Sequence, residues 1–140
     1  WANFYRASRE SKELLAESKQ LAFSLNAWIR DVLKQPVKVK KQLGFVPVYG
    51  NLCGTLGLTQ PEVLTAYTVT VLENQVLAAV KTVPLGQMSG QRILWYLHAL
   101  IPAAITRALA LPDTEISSAL PQYAMLSMHH ETQYSRLFRS

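Results

Sequence analysis

TQPEVLTAYTVTVLENQVLAAVKTVPLG, residues 59–86, is the stretch that decides the fold class. Its first four residues are a helix start: the Thr59 hydroxyl can take up free backbone N–H groups while Glu62, three residues on, reaches back to the cap. Pro61 falls in the first turn, where a missing N–H costs nothing. Val63, Leu64, Tyr67, Val71, Leu72, Val76 and Val80 then recur at helical spacing, and the helix is predicted to stop before Pro84. Glu73 and Asn74 interrupt the apolar run. Because an unpaired buried polar group costs roughly 1–3 kcal/mol, both are expected at or near a helix–helix contact with hydrogen-bond partners.

The same periodicity extends in both directions. Leu14, Leu21, Leu25, Trp28 and Val32 form one stripe, widened by Leu15, Ala22, Ile29 and Leu33. They predict a first helix over residues 3–33, ended by Pro36. A basic connection over 34–42 leads to a short helix over 48–56. There Gly50 and Gly54 leave a face without side chains that a neighbouring backbone could approach, and Gly57 suits the helix end. Downstream, a helix is expected over 89–100 with Ile93, Leu94, Leu97 and Ile101 inward. Pro102 either kinks it or starts a new helix through Leu109. Residues 111–119 read as a loop, and a last helix begins near Pro121 carrying Met125, Met128 and Leu137. No segment alternates with period two, and no internal repeat is present. The reading is all-α: one domain, a bundle of five to six helices, over residues 1–140.

Composition supports a folded chain and narrows its chemistry. Of 140 residues, 49% are hydrophobic and only 16% charged, enough for a core and too few charges for a disordered polyelectrolyte. The formal charge of +5 is concentrated early, with Lys34, Lys38, Lys40 and Lys41 in one loop. Such a cluster could meet nucleic acid, an acidic lipid surface or an acidic protein. It has no interleaved aromatic platform and no recognition helix with basic and amide residues on one face, which argues against nucleic acid. Cys53 is a lone cysteine in an apolar stretch, which suits a small buried residue and a reducing cytoplasmic setting. The longest apolar run, around 69–83, is broken by Glu73, Asn74, Gln75 and Lys81, so no membrane span is expected.

The carboxyl terminus carries the most specific signal. His130-Glu131-Thr132-Gln133-Tyr134-Ser135-Arg136-Leu137-Phe138-Arg139-Ser140 combines aromatics, arginines and hydrogen-bonding side chains, types enriched where proteins grip one another. A final helical turn packed on its own domain is the bland alternative. Together with Leu72–Lys81, then Val83-Pro84-Leu85-Gly86-Gln87 and Gly90-Gln91-Arg92, and more weakly Ser8–Leu14, this tail resembles the urease accessory protein F family, in family order across essentially the whole chain. Members of that family begin with a Pro- and Gly-containing aromatic segment that has no counterpart here, and the chain opens at Trp1, so it reads as a fragment of a longer protein.

The resemblance implies a helical, often dimeric maturation factor that does no covalent chemistry. It would join a second accessory protein (D-type, called H in some organisms), recruit the nickel-carrying G-type GTPase, and present it to the urease apoprotein. Nickel would be handled by the complex, with no cofactor of the chain's own. Glu131, Thr132, Tyr134, Ser135, Arg136, Phe138 and Arg139 are the candidates for the D-type contact. Tyr134, Leu137 and Phe138 would be buried only in a partner groove, since a terminal segment by itself does not offset the roughly 1–2 kcal/mol per residue lost on fixing its backbone. The corner from Lys81 to Gln87 is the candidate GTPase-facing surface, and a helix-breaking corner built from Pro84 and Gly86 is its plain alternative.

Two chemical readings compete with this scaffold. His129-His130-Glu131 invites a metal site, because imidazole and carboxylate suit nickel. Consecutive helical residues point about 100° apart, however, which leaves His130 as a weak candidate for a transient contact. Arg136 and Arg139 could act on a GTPase transition state, but the interleaved apolar residues suit docking better. The rival classes are a basic helical nucleic-acid-binding or transcription factor and a small enzyme built on His98, His129 and His130. No phosphate loop, serine elbow or spaced carboxylate pair supports catalysis.

Overall fold

The computed structural model describes residues 1–117 and 120–135. They form six α-helices and no strand: α1 (Ala2–Ala7), α2 (Lys12–Asp31), α3 (Phe45–Thr55), α4 (Gln60–Thr82), α5 (Gln87–Ala110) and α6 (Pro121–Glu131), with 3-10 turns at Lys41–Leu43 and Asp113–Glu115. The all-α class is as the periodicity predicts. The chain divides into two compact units, Trp1–Leu56 with Ser117–Ser140, and Gly57–Ile116.

In the first unit, α2 is the central element, packed by α3 and α6. Its core is Ala22, Ile29 and Val48, with Leu25, Val39 and Leu52 around them. The expected single helix over 3–33 is two helices. Ser11, in extended conformation, caps the Leu14 N–H through its side chain, and Ser8 Oγ donates to the Tyr5 carbonyl at 2.8 Å. These short hydroxyls satisfy backbone groups that a continuous helix would have used, and the chain breaks between them. The buried stripe is also rotated from the expected one. Ser18, Ala22 and Ile29 face inward, while Leu21, Trp28 and Val32 are exposed. The reason is that α3 packs on the small-residue edge of a wide apolar face.

Ser18 explains the start of α3. Its hydroxyl accepts the Phe45 N–H at 3.0 Å and bonds the Tyr5 hydroxyl at 3.1 Å. Gly44 lies against it at φ +91°, where an added Cβ would stand 2.7 Å from Ser18 Oγ, so only glycine fits. Helix α3 begins three residues before the expected 48 because Pro47 sits in its first turn, where proline is tolerated. Cys53 is buried as expected. Gly50 and Gly54 are exposed with open space beside them, so the close backbone approach expected there does not occur. The basic loop returns to the core through Val39, whose carbonyl accepts from Asn26 Nδ2 at 3.0 Å, while Lys41 Nζ lies 4.6 Å from the Phe23 ring centre.

The second unit is a helical hairpin. The capping box at Thr59 forms, with Glu62 Oε2 accepting the Thr59 N–H at 2.7 Å. Helix α5 is continuous through Pro102, so of the two alternatives at that proline no new helix starts there. Val76 of α4 and Gly90, Leu94, Ile101 and Ile105 of α5 are buried between them. At Gly90 an added Cβ would meet Val80 Cγ2 at 2.8 Å, so glycine here sets the distance between the helices. Glu73 and Asn74 are exposed, with no hydrogen bond among the described residues, contrary to the contact expected for them. Asn74 lies about 160° around α4 from Val76 at 100° per residue, away from the seam, whereas Glu73, about 60° from Val76, is beside the seam and keeps its side chain in solvent. Both α4 and α5 are long and apolar enough to cross a membrane by length and composition. The polar interruptions that argued against a span are outweighed by the apolar residues around them.

Candidate partner interfaces

The C-terminal end of α6 is fastened by three successive residues at the start of α2, from its cap Ser11 to Glu13. Ser11 Oγ and Ser127 Oγ share a hydrogen bond of 2.7 Å, the Lys12 N–H donates to Glu131 Oε1 at 2.8 Å, and Glu13 Oε2 lies 2.7 Å from His130 Nδ1. The first turn of any helix has N–H groups without intrahelical partners. Here Leu14 N–H goes to Ser11 within the segment and Lys12 N–H to Glu131, 119 residues away. The Glu131 carboxylate also sits favourably at the positive end of the α2 dipole. Ala124, Ser127, His130 and Glu131 thus form the inward edge of α6, while Met125, Leu126 and Met128 face outward.

Residues 132–135, beyond this anchor, are exposed. Thr132 ends α6, its Oγ1 donating to the His129 carbonyl at 3.1 Å, and Thr132, Tyr134 and Ser135 are exposed, Tyr134 completely. Arg136, Phe138 and Arg139, named above for the same contact, lie outside the described residues, as does Leu137. Glu131 differs from Thr132, Tyr134 and Ser135 because its carboxylate engages α2. His130 is held by Glu13, and no three His, Cys, Asp or Glu side chains converge on a metal position among the described residues. The sequence pairs His130 with His129 by adjacency. The structure pairs it with a carboxylate 117 positions away, a contact no local pattern announces.

The other candidate surface lies in the second unit. Lys81 is in the last turn of α4 and Gln87 is the first residue of α5, so both are at the corner of the hairpin, and both are exposed. The corner is tight, with the Leu85 N–H donating to the Val83 carbonyl at 2.6 Å. Lys81 has no carboxylate partner among the described residues. Sequence reasoning missed the exposed apolar side chains next to this corner: Met88, Trp95, Tyr96 and Leu100 on α5, of which Trp95 is 78% exposed. A count of residues facing away from Leu94 and Ile101 would have found them.

The described residues thus define a class, all-α proteins with an exposed hairpin corner and a last helix fastened to the start of α2. Comparison with known proteins specifies which. The UreF family model matches residues 1–98. The urease accessory protein UreF of Nitrosospira multiformis is 39% identical over 146 residues, covering all of this chain and 65% of that protein. The UreF of Dechloromonas aromatica is 41% identical over 143 residues, covering 97% of this chain and 63% of that one. The bifunctional urease accessory protein UreEF of Bordetella bronchiseptica is 40% identical over 150 residues, with all of this chain matching 34% of it. The chain belongs to the UreF family, and it spans just under two thirds of the length of the first two relatives.

Proposed function

We propose that this chain is a non-catalytic scaffold of urease maturation, working in the cytoplasm. It docks a D-type accessory protein with its tail and a nickel-carrying G-type GTPase with its Lys81–Gln87 corner, and so brings the GTPase to the urease apoprotein. Nickel passes through the complex, and the chain needs no cofactor of its own. Family membership supports the setting, and the UreEF relative, which carries two accessory activities by name, supports close work with other accessory proteins.

One observation carries the docking role of the tail. Ser127, His130 and Glu131 bind α6 to the start of α2, and then Tyr134 stands fully exposed. A rigid base followed by an unburied aromatic is what a partner groove can grip, since aromatic anchors dominate interface energetics. Arg136 and Arg139 would set its register through charge-assisted bonds to carboxylates. Deleting residues 134–140 is expected to leave the melting temperature essentially unchanged while abolishing co-purification with the D-type protein and activation of urease. Retention of the complex after deletion, or unfolding of the domain, overturns the reading.

A further inference from the structure

The outward face of α5 is the least explained surface of the molecule. Met88, Arg92, Trp95 and Ala99 follow at spacings of four, three and four, which places them on one line of the helix, with Tyr96 and Leu100 beside it. Met88 is 68%, Trp95 78%, Tyr96 74% and Leu100 63% exposed. The buried residues Gly90, Leu94, Ile101 and Ile105 lie on the opposite side, against α4, so packing of the hairpin does not account for this stripe. Contiguous apolar and aromatic side chains of this kind mark interaction sites.

Charge decides what fits there. Helix α5 contains no Asp or Glu in its 24 residues. Arg92 is exposed within the stripe without an ion pair among the described residues, Glu73 of α4 included. Lys81, also without an ion pair among the described residues, adds a second cation at the corner where α5 begins. The complementary surface is therefore apolar and flanked by carboxylates. A second copy of the same face would bring the same cations and no carboxylate from either α5. A bilayer would also have to accept the outward side of α4, which carries Glu73, Asn74 and Lys81.

Resting on the reading of the corner as the GTPase-facing surface, we infer that the Met88–Arg92–Trp95–Tyr96 face of α5 is the apolar half of that same docking surface, with Trp95 as its anchor. Trp95 is seven residues, about 10 Å, along the helix from Met88. A standard interface covers about 800 Å² on each partner, a patch roughly 30 Å across, which spans the corner and the stripe together. Lys81 and Arg92 meet carboxylates at its rim, and Trp95 fills an apolar pocket at its centre, where truncations cost most.

The test uses the full chain in complex with its D-type partner and titrates the GTPase by calorimetry. Trp95→Ala and Arg92→Glu are compared with wild type and with Lys81→Ala, and circular dichroism checks helicity. Trp95→Ala is expected to weaken binding by roughly thirtyfold or more, the loss typical of an interface hot spot. Arg92→Glu should weaken it about tenfold, with a reduced salt dependence. Wild-type binding that is lost in Lys81→Ala but unchanged in Trp95→Ala and Arg92→Glu overturns the stripe and leaves the corner standing. Failure of the wild-type complex to bind the GTPase overturns both. A Trp95→Ala variant with normal GTPase affinity that loses self-association in light scattering, or loses binding to vesicles of phosphatidylglycerol, assigns the face to a second copy or to lipid and overturns the inference.

Discussion

Ser11 and Thr59 each begin a long helix, and the two starts are built on different principles. At Thr59 everything is local: Glu62 Oε2 accepts the Thr59 N–H and the Thr59 hydroxyl, both at 2.7 Å, on an exposed turn. At Ser11 the cap is shared with another element, since the same hydroxyl that accepts the Leu14 N–H also bonds Ser127, and the next residue's N–H goes to Glu131. A change at Thr59 therefore acts on the first turn of α4. A change at Ser11 acts on α2 and on the base of the tail together.

The contrast extends to how the two units hold together. The α2–α6 pair is fixed by polar contacts of definite geometry, whereas α4 and α5 meet through Val76, Val80, Leu94, Ile101 and Ile105 around Gly90. The sharpest test of the apolar seam is Gly90→Leu. The Cβ alone would come to 2.8 Å from Val80 Cγ2, and a β-branched valine in a helix has one strongly preferred rotamer, so it cannot swing aside cheaply. Overpacking of this kind costs about 1–3 kcal/mol. Urea unfolding should show that loss, and a variant as stable as wild type would mean the helices can separate at no cost.

Ser11→Ala probes the polar side of the comparison. It removes a cap, for which about 1 kcal/mol is usual, and leaves Ser127 without its partner. A cycle with Ser127→Ala should reveal a coupling of about 0.5 kcal/mol or more, as residues sharing one hydrogen-bond network show. The single variant should also speed amide exchange in α6. If the two substitutions are additive and α6 exchanges as before, the start of α2 does not hold the base of the tail.

This contrast also explains which parts of the molecule were legible in the sequence. Thr59 and Glu62 lie three residues apart, so their reciprocity can be read directly, as can the stops at Gly57 and Pro84. The break at Ser8–Ser11 was missed because serine within a helical pattern is ordinary, and what recruits Ser11 is Ser127, 116 positions on. Glu73 and Asn74 were placed at a contact because polar residues in an apolar run suggest a buried need. On α4 the buried seam is narrow, and both are exposed like Leu77 beside them. The corner and tail were singled out because they carry family motifs. The α5 stripe was not, because apolar residues on every side of a helix look alike until a neighbour shows which side is covered.

The smallest expected effect belongs to the local start of α4, and it has a definite sign. The Thr59 hydroxyl and backbone N–H, in that order of importance, hold the Glu62 carboxyl below the usual glutamate range. A carboxylate lowered on folding contributes stability that is present above its unfolded pKa, about 4.3, and is lost as pH falls through the lower folded value. Because the side chain is fully exposed, solvent screens the contribution and it stays small. Glu62→Gln keeps an acceptor for the Thr59 N–H but removes the charge. Thermal melts of wild type and variant should therefore differ slightly at neutral pH and converge as the pH falls well below 4, with exchange changes confined to the first turn of α4. A Glu62→Gln variant that melts above wild type at neutral pH would show that the Glu62 charge opposes folding. A difference that spread to the α4–α5 seam would show that this start is no more local than the one at Ser11.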